Sequence, residues 1–277
     1  MAIVLDGKQV SKDIKANIKE TIDGLVAAGK RAPKLSVIIV GEDPASQTYV
    51  ASKARQCKQV GIDSDTIRLN EDCTEDKLIE TLEGLNADSG VDGILVQLPL
   101  PKHINEDRVL DVIDPKKDVD GLHPLNMGYL QINRKAPQPC TPKGIISLLD
   151  AYDIEPEGAR ALVIGRSRLV GKPVAGLLTN RNATVTIAHS RSKNIEELIA
   201  QHDIIVVAVG IPHFVKASMI KPNHIVVDVG IHRTDNGIIG DVEGGENAAY
   251  LSPVPGGVGT MTIASLLENT LEAYYGS

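Results

Sequence analysis

The chain has no tryptophan, one phenylalanine and only six tyrosines in 277 residues. Base stacking needs aromatic platforms and phosphate neutralisation needs basic surface. Here 29 Lys and Arg stand against 36 Asp and Glu, a net charge of −7 without a basic block, so nucleic acid is excluded as a partner. Cys57, Cys73 and Cys140 are odd in number and widely spaced, which provides neither a disulfide framework nor a zinc site and fits a reducing cytoplasm. The seven histidines form no His-x-His or His-x-x-x-His pair, so no metal is indicated. His103, His123, His213 and His232 read as surface or structural residues. No apolar run approaches the roughly 18 residues needed to cross a bilayer, and the start, Met1-Ala-Ile-Val-Leu-Asp-Gly-Lys8, gives only five apolar residues before an acid. The expectation is a soluble, untargeted protein with no membrane partner.

What is present is ordinary globular material, 42% hydrophobic and 23% charged, in a length that suits two domains. Val10, Ile14, Ile18, Ile22 and Leu25 recur at helical spacing, and Gly29 marks the stop. A buried strand over 35–40, a helix over 45–60, a strand over 66–69, a helix over 75–87 and a strand over 93–97 continue the alternation. Such alternation implies right-handed crossovers and a mostly parallel sheet. Residues 98–142 carry seven prolines and the stretch Asp114-Pro-Lys-Lys-Asp-Val-Asp-Gly121, an irregular segment of the kind that is usually functional. Pro142 suits the first turn of a helix that leaves the first domain. A second alternating series, with strands over 160–164, 184–188, 204–210 and 224–230, reads as a Rossmann-like nucleotide fold. The expected fold class is α/β with two α/β domains. Residues 1–140 form the first, joined by a returning helix over 261–277, and residues 141–260 form the second.

In the second domain, Gly165-Arg-Ser-Arg-Leu-Val-Gly171 departs from the Gly-x-Gly-x-x-Gly fingerprint. It nevertheless joins a β-branched strand to a helix, and so offers backbone N–H groups and a positive helix end to a diphosphate. The next strand ends in His189-Ser-Arg-Ser192 rather than in the acid that usually holds the ribose hydroxyls of NAD. NADP is favoured, with Arg191 as charge partner to the 2′-phosphate, Ser190 as donor and Arg166 as a second cation. Gly165, Arg166, Ser167, Gly171, Ser190, Arg191 and Ile231 are the candidate cofactor contacts.

In the first domain, Tyr49 and Lys53 share one helix face, so a phenol and an ammonium can converge on a small molecule. The same Tyr-x-x-x-Lys spacing serves short-chain dehydrogenases, but those carry the glycine loop before the pair; here it follows by more than a hundred residues. Gln97, with Leu98 and Pro99, ends a parallel strand where open α/β sheets bind ligands, although a strand-end amide can equally serve the backbone. Asp120 could take two hydrogen bonds from a flat amidine-like edge, or be a turn aspartate. Pro255, Gly256 and Gly257 can bring bare backbone close to a ligand.

Together, Gly41-Glu-Asp-Pro-Ala-Ser-Gln-Thr-Tyr-Val-Ala-Ser-Lys53, Gln97-Leu-Pro-Leu-Pro101, Lys117-Asp-Val-Asp-Gly-Leu-His-Pro124, Thr141-Pro-Lys-Gly144, Gly165-Arg-Ser167 with Val170-Gly-Lys-Pro173, and Pro253-Val-Pro-Gly-Gly-Val-Gly259 resemble the bifunctional methylenetetrahydrofolate dehydrogenase/cyclohydrolase family. The likeness covers essentially the whole chain in the same order. It implies an active site in a cleft between two α/β domains, a homodimer joined through the nucleotide domain, and a one-carbon tetrahydrofolate as substrate. The family's catalytic lysine falls on Lys53, its ring-stacking tyrosine on Tyr49, its glutamine on Gln97 and its pterin-binding aspartate on Asp120. Alternatives are a chain that keeps one of the two activities, an NADP-sensing module without catalysis, or a relative of shikimate dehydrogenase. One departure stands out: Gly259-Thr-Met-Thr262 has threonine where the family usually has proline, which loses a preset φ and is expected to loosen the start of the last helix.

Overall fold

The structure, a computed structural model, describes residues 1–235 and 237–276. In chain order the elements are β1 (Ile3–Val4), α1 (Gly7–Ala27), β2 (Lys34–Val40), α2 (Pro44–Val60), β3 (Asp63–Leu69), α3 (Glu75–Ala87), β4 (Gly93–Val96), α4 (Glu106–Val112), α5 (Pro124–Gln131) and α6 (Cys140–Asp150). There follow β5 (Arg160–Ile164), α7 (Gly171–Asn180), β6 (Thr184–Ala188), α8 (Ile195–Ala200), β7 (Ile204–Val207), β8 (Ile225–Asp228), β9 (His232–Thr234), β10 (Gly237–Ile239), β11 (Tyr250–Leu251) and α9 (Val258–Gly276). Two compact units emerge. One holds residues 1–12, 130–133 and 139–265; the other holds 13–129, 134–138 and 266 onward. Ser277, the last residue of the expected terminal helix, lies outside the described residues.

The unit containing β2 has a three-stranded parallel sheet ordered β3-β2-β4. As the central strand, β2 is buried from Leu35 to Val40, which explains why that stretch is apolar but for Ser36. Ile38, Val40, Ile94 and Val96 form a core with Leu78 and Leu82 of α3 and Val109 and Leu110 of α4. Local chemistry sets the helix ends. Asp43 accepts from Ser46 N at 2.7 Å and Pro44 occupies the first turn of α2, which stops at Gly61 in the left-handed region. Thr74 caps α3, whose first turn carries Glu75 and Asp76.

The other unit has a six-stranded sheet ordered β1-β11-β8-β7-β5-β6, parallel throughout. Its core gathers Leu162, Ile164, Ile205, Val207 and Val226 with Ile199 of α8. The register pairs Ile164 with both Ala188 and Val207, and Val207 with Asp228. The loops leaving β5, β6, β7 and β8 therefore emerge side by side at the carboxyl edge, where such sheets bind nucleotides. No helix among the described residues is long and apolar enough to cross a membrane.

Three features differ from the sequence reading. First, residues 1–12 group with the six-stranded unit rather than with residues 13–129, because β1 pairs in parallel with β11. Two residues, both half-exposed, carry no periodicity that could announce a strand. Second, the irregular stretch 98–142 contains α4, capped by Asn105, and α5, each too short to show a helical stripe. Third, α8 and the β9–β10 hairpin go unmarked in the sequence for the same reason.

Candidate functional site

On α2 the Tyr49 ring is 46% exposed, and its hydroxyl has no partner among the described residues. One turn on, half-buried Lys53 donates from Nζ to Gln97 Oε1 at 3.0 Å. The Gln97 amide nitrogen donates in turn to the Leu98 carbonyl at 2.7 Å, which fixes the orientation of the amide, and Gln97 N is held by Ile38 O at 2.8 Å. Strand β4 thus presents an acceptor that orients the Lys53 amine. Leu98 is half-buried, and Pro99, joined to it by a cis peptide bond, is exposed. Cys57, one more turn along α2, is buried, and burial pushes its thiol up to about 11, which suits packing and not nucleophilic attack.

Asp120 lies in the loop beside β4, tied down by Ile94 N donating to Lys117 O at 2.7 Å. The carboxylate of Asp120 bonds to no described residue, so both oxygens remain available. Its neighbour does the holding. Asp118 is buried and accepts from Gly121 N at 3.0 Å, His123 N at 2.8 Å and Asn126 Nδ2 at 2.9 Å. Burial pushes the Asp118 carboxyl above the usual range, the hydrogen bonds from His123 and Asn126 oppose that, and the charge of Asp120 adds to it. From α9, Asn269 Nδ2 donates to Val119 O at 2.9 Å and to Gln138 O at 2.8 Å. Sequence reasoning missed Asp118, Asn126 and Asn269; in Asp118-Val-Asp120 the two acids look equivalent until burial separates them.

Pro255, Gly256 and Gly257 belong to the six-stranded unit. Gly256 has φ +111°, and its carbonyl accepts from Lys8 N at 3.0 Å. A Cβ on Gly7 would sit 2.2 Å from Gly257 O, so the start of α1 packs backbone to backbone against this loop. Thr260 is tied to the loop by hydrogen bonds of its own. Its N–H and its hydroxyl both donate to Gly257 O, at 3.2 and 2.7 Å, hydrogen bonds in place of the rigidity of a proline ring.

At the carboxyl edge of the six-stranded sheet, Gly165 has φ +129°, and a Cβ there would lie 2.2 Å from Ala208 O. Likewise a Cβ on Gly171 would lie 2.3 Å from Gly165 O, so both positions require glycine. Ser167 Oγ accepts from Val170 N at 3.2 Å and Gly171 N at 3.3 Å, shaping the entry to α7 while its own proton stays free to donate. After β6, His189 N donates to Ser192 Oγ at 3.0 Å and Arg191 N to His189 Nδ1 at 3.2 Å, a tight turn that leaves Ser190 and Arg191 exposed. The side chains of Arg166 and Arg191 have no acidic or hydrogen-bonding partner among the described residues. Ile231, after β8, is exposed, with Cδ1 only 3.0 Å from where a Cβ on Gly259 would lie. Bare backbone, a helix start, two unpaired guanidiniums and an exposed apolar side chain on one edge fit a phosphorylated dinucleotide.

Comparison with known proteins matches both halves of the chain. The profile of the tetrahydrofolate dehydrogenase/cyclohydrolase catalytic domain matches residues 5–120, and that of the NAD(P)-binding domain matches residues 139–276. Bifunctional protein FolD of Listeria innocua is 50% identical over 99% of this chain and 97% of its own length. The crystal structure of the bifunctional enzyme FolD from Campylobacter jejuni superposes with a TM-score of 0.97 at 46% identity, covering 100% of this chain and 99% of that one. The Trypanosoma brucei methylenetetrahydrofolate dehydrogenase-cyclohydrolase, solved with NADP cofactor and inhibitor, gives a TM-score of 0.92 at 37% identity, covering 99% and 98%. With both profiles matched in order and relatives aligned end to end, the chain belongs to the tetrahydrofolate dehydrogenase/cyclohydrolase family.

Proposed function

We propose that this chain catalyses two consecutive steps on a one-carbon folate: NADP-dependent oxidation of 5,10-methylenetetrahydrofolate to the 5,10-methenyl form, then hydrolysis to 10-formyltetrahydrofolate. The Lys53–Gln97 hydrogen bond, beside an open Tyr49 ring, carries the reading. NADP+, when bound, accepts the hydride that leaves the methylene bridge. Every other task falls to side chains and backbone of the protein. Tyr49 lies against the folate ring system, in a chain with few other aromatic platforms. Asp120 accepts hydrogen bonds from the amino and ring N–H groups of the pterin, and the backbones of Leu98, Pro99, Pro255, Gly256 and Gly257 line the substrate.

In the hydrolytic step water adds to the methenyl carbon, a proton is lost and one ring C–N bond opens. Lys53 takes the proton from the attacking water and returns one to the departing nitrogen; Gln97 keeps the amine in reach of both. On the cofactor side, the Gly165–Gly171 loop, with Arg166 and Ser167, holds the diphosphate at the start of α7. Ser190 and Arg191 hold the 2′-phosphate, with Arg166 as second cation, and Ile231 gives the nicotinamide an apolar contact. We place the enzyme in the cytoplasm as a homodimer; light scattering of the purified protein tests the dimer. Supplying methylenetetrahydrofolate with NADP+ while following NADPH and methenyl absorbance tests the chemistry. NADPH must appear without lasting methenyl, and persistent methenyl would remove the hydrolase from the proposal.

A further inference from the structure

Apart from the groups already given roles, the six-stranded unit holds a buried polar cluster behind the loops that leave β7 and β8. Asp241, fully buried, follows the β9–β10 hairpin. Its Oδ2 accepts from Val209 N at 2.8 Å and Gly210 N at 2.9 Å, the first turn after β7. Its Oδ1 lies 2.7 Å from His232 Nε2, one residue beyond Ile231 in the loop after β8. A carboxylate only accepts, so Nε2 carries the proton of this bond. Asp228, at the end of β8, anchors the arrangement from below: its oxygens take Gly230 N at 2.8 Å, Asp241 N at 2.9 Å and Val242 N at 2.9 Å. There is no room for slack. A Cβ on Gly230 would sit 2.3 Å from Asp241 Oδ1, and one on Gly240 would sit 1.9 Å from Asp228 Oδ2.

One carboxylate therefore ties the β7 loop through Oδ2 and, via His232, the segment after β8 through Oδ1. We infer that His232 is a positioning residue for the redox step: by closing onto Asp241 it sets the spacing of the two loops and holds Ile231 where the nicotinamide must lie. The inference rests on the proposed NADP-dependent reaction. It gives a role to a histidine that the sequence marks as a surface or structural residue. His232 retains 18% of its side-chain exposure, so its replacement leaves the core intact, unlike replacement of Asp241.

The test uses the full-length enzyme and two activities. His232→Leu keeps bulk and removes the donor; His232→Gln restores a donor at similar reach. Loss of one hydrogen bond to a carboxylate is expected to lower kcat/KM for NADP+ roughly tenfold in H232L. Hydrolysis of methenyltetrahydrofolate supplied without NADP+ stays within about twofold, and H232Q recovers most of the redox loss. Wild-type redox kinetics in H232L overturn the inference, as does an equal fall of both activities together with the melting temperature, which marks a purely structural role. A wild-type protein that reduces no NADP+ overturns the proposed function as well.

Discussion

Lys53 reaches across from α2 to Gln97, 44 residues later in the chain, and the two side chains meet at 3.0 Å. Gln97 Nε2 donates to Leu98 O, and this holds the amide with its oxygen towards the lysine. The pair is a fixed amine, and its removal should separate the two reactions. In Lys53→Met, hydrolysis of methenyltetrahydrofolate should fall by about 100-fold or more, the range of a lost general acid–base group, with a smaller loss of NADP+ reduction. Parallel assays of the two steps decide it, and equal losses would contradict this division of labour.

Asp120→Ala tests the anchor. Its carboxylate is unpaired and so free for the pterin, and losing two charge-assisted hydrogen bonds should raise the Michaelis constant for folate by roughly 10- to 100-fold in both reactions. An unchanged constant would remove Asp120 from the substrate site.

Arg191→Ala addresses cofactor choice. With no acid near it, the guanidinium is available to a 2′-phosphate, and its loss should weaken NADP+ by about tenfold while leaving NAD+ nearly unaffected. Fluorescence titration with both dinucleotides measures the ratio; a wild-type preference for NAD+ would refute the assignment.

How far these residues could be read beforehand depends on how locally each is determined. Asp43 and Pro44 announce the start of α2, so the shared face of Tyr49 and Lys53 is visible in the sequence. Gln97 is placed by its strand, whose apolar run ends beside it. Asp118 is different: nothing local separates it from Asp120, and only the enclosure by Gly121, His123 and Asn126 makes one a scaffold and leaves the other open. The partnership of His232 with Asp241 was equally hidden, since a short hairpin without a periodic signature brings them together.

His224 governs a pH effect on stability. It is fully buried, with Nδ1 accepting from Lys221 N at 3.1 Å and Nε2 without a partner. Burial, aided by the charge of Lys221 and opposed by Asp203, holds its pKa below the ordinary 6.5. The unfolded chain then binds the extra proton more readily, so the contribution of His224 is fully present above about 6.5 and is lost as pH falls below it. Melting temperatures measured from about pH 7.5 to about pH 5 should fall less steeply in His224→Gln than in the parent, and identical slopes would exclude the effect.

The pairing of β1 with β11 joins Ile3 to Tyr250 and Val4 to Leu251, and Lys8 N then reaches Gly256 O. A ribosome releases residue 3 long before it makes residue 250, so the earliest strand must wait, unpaired, through nearly the whole of synthesis. Completion of the glycine loop is thereby coupled to arrival of the last segment of chain. A nascent chain stalled before residue 250 would carry the Lys53–Gln97 pair without the Asn269 that holds the backbone beside Asp120, and a cofactor edge still missing its outermost two strands.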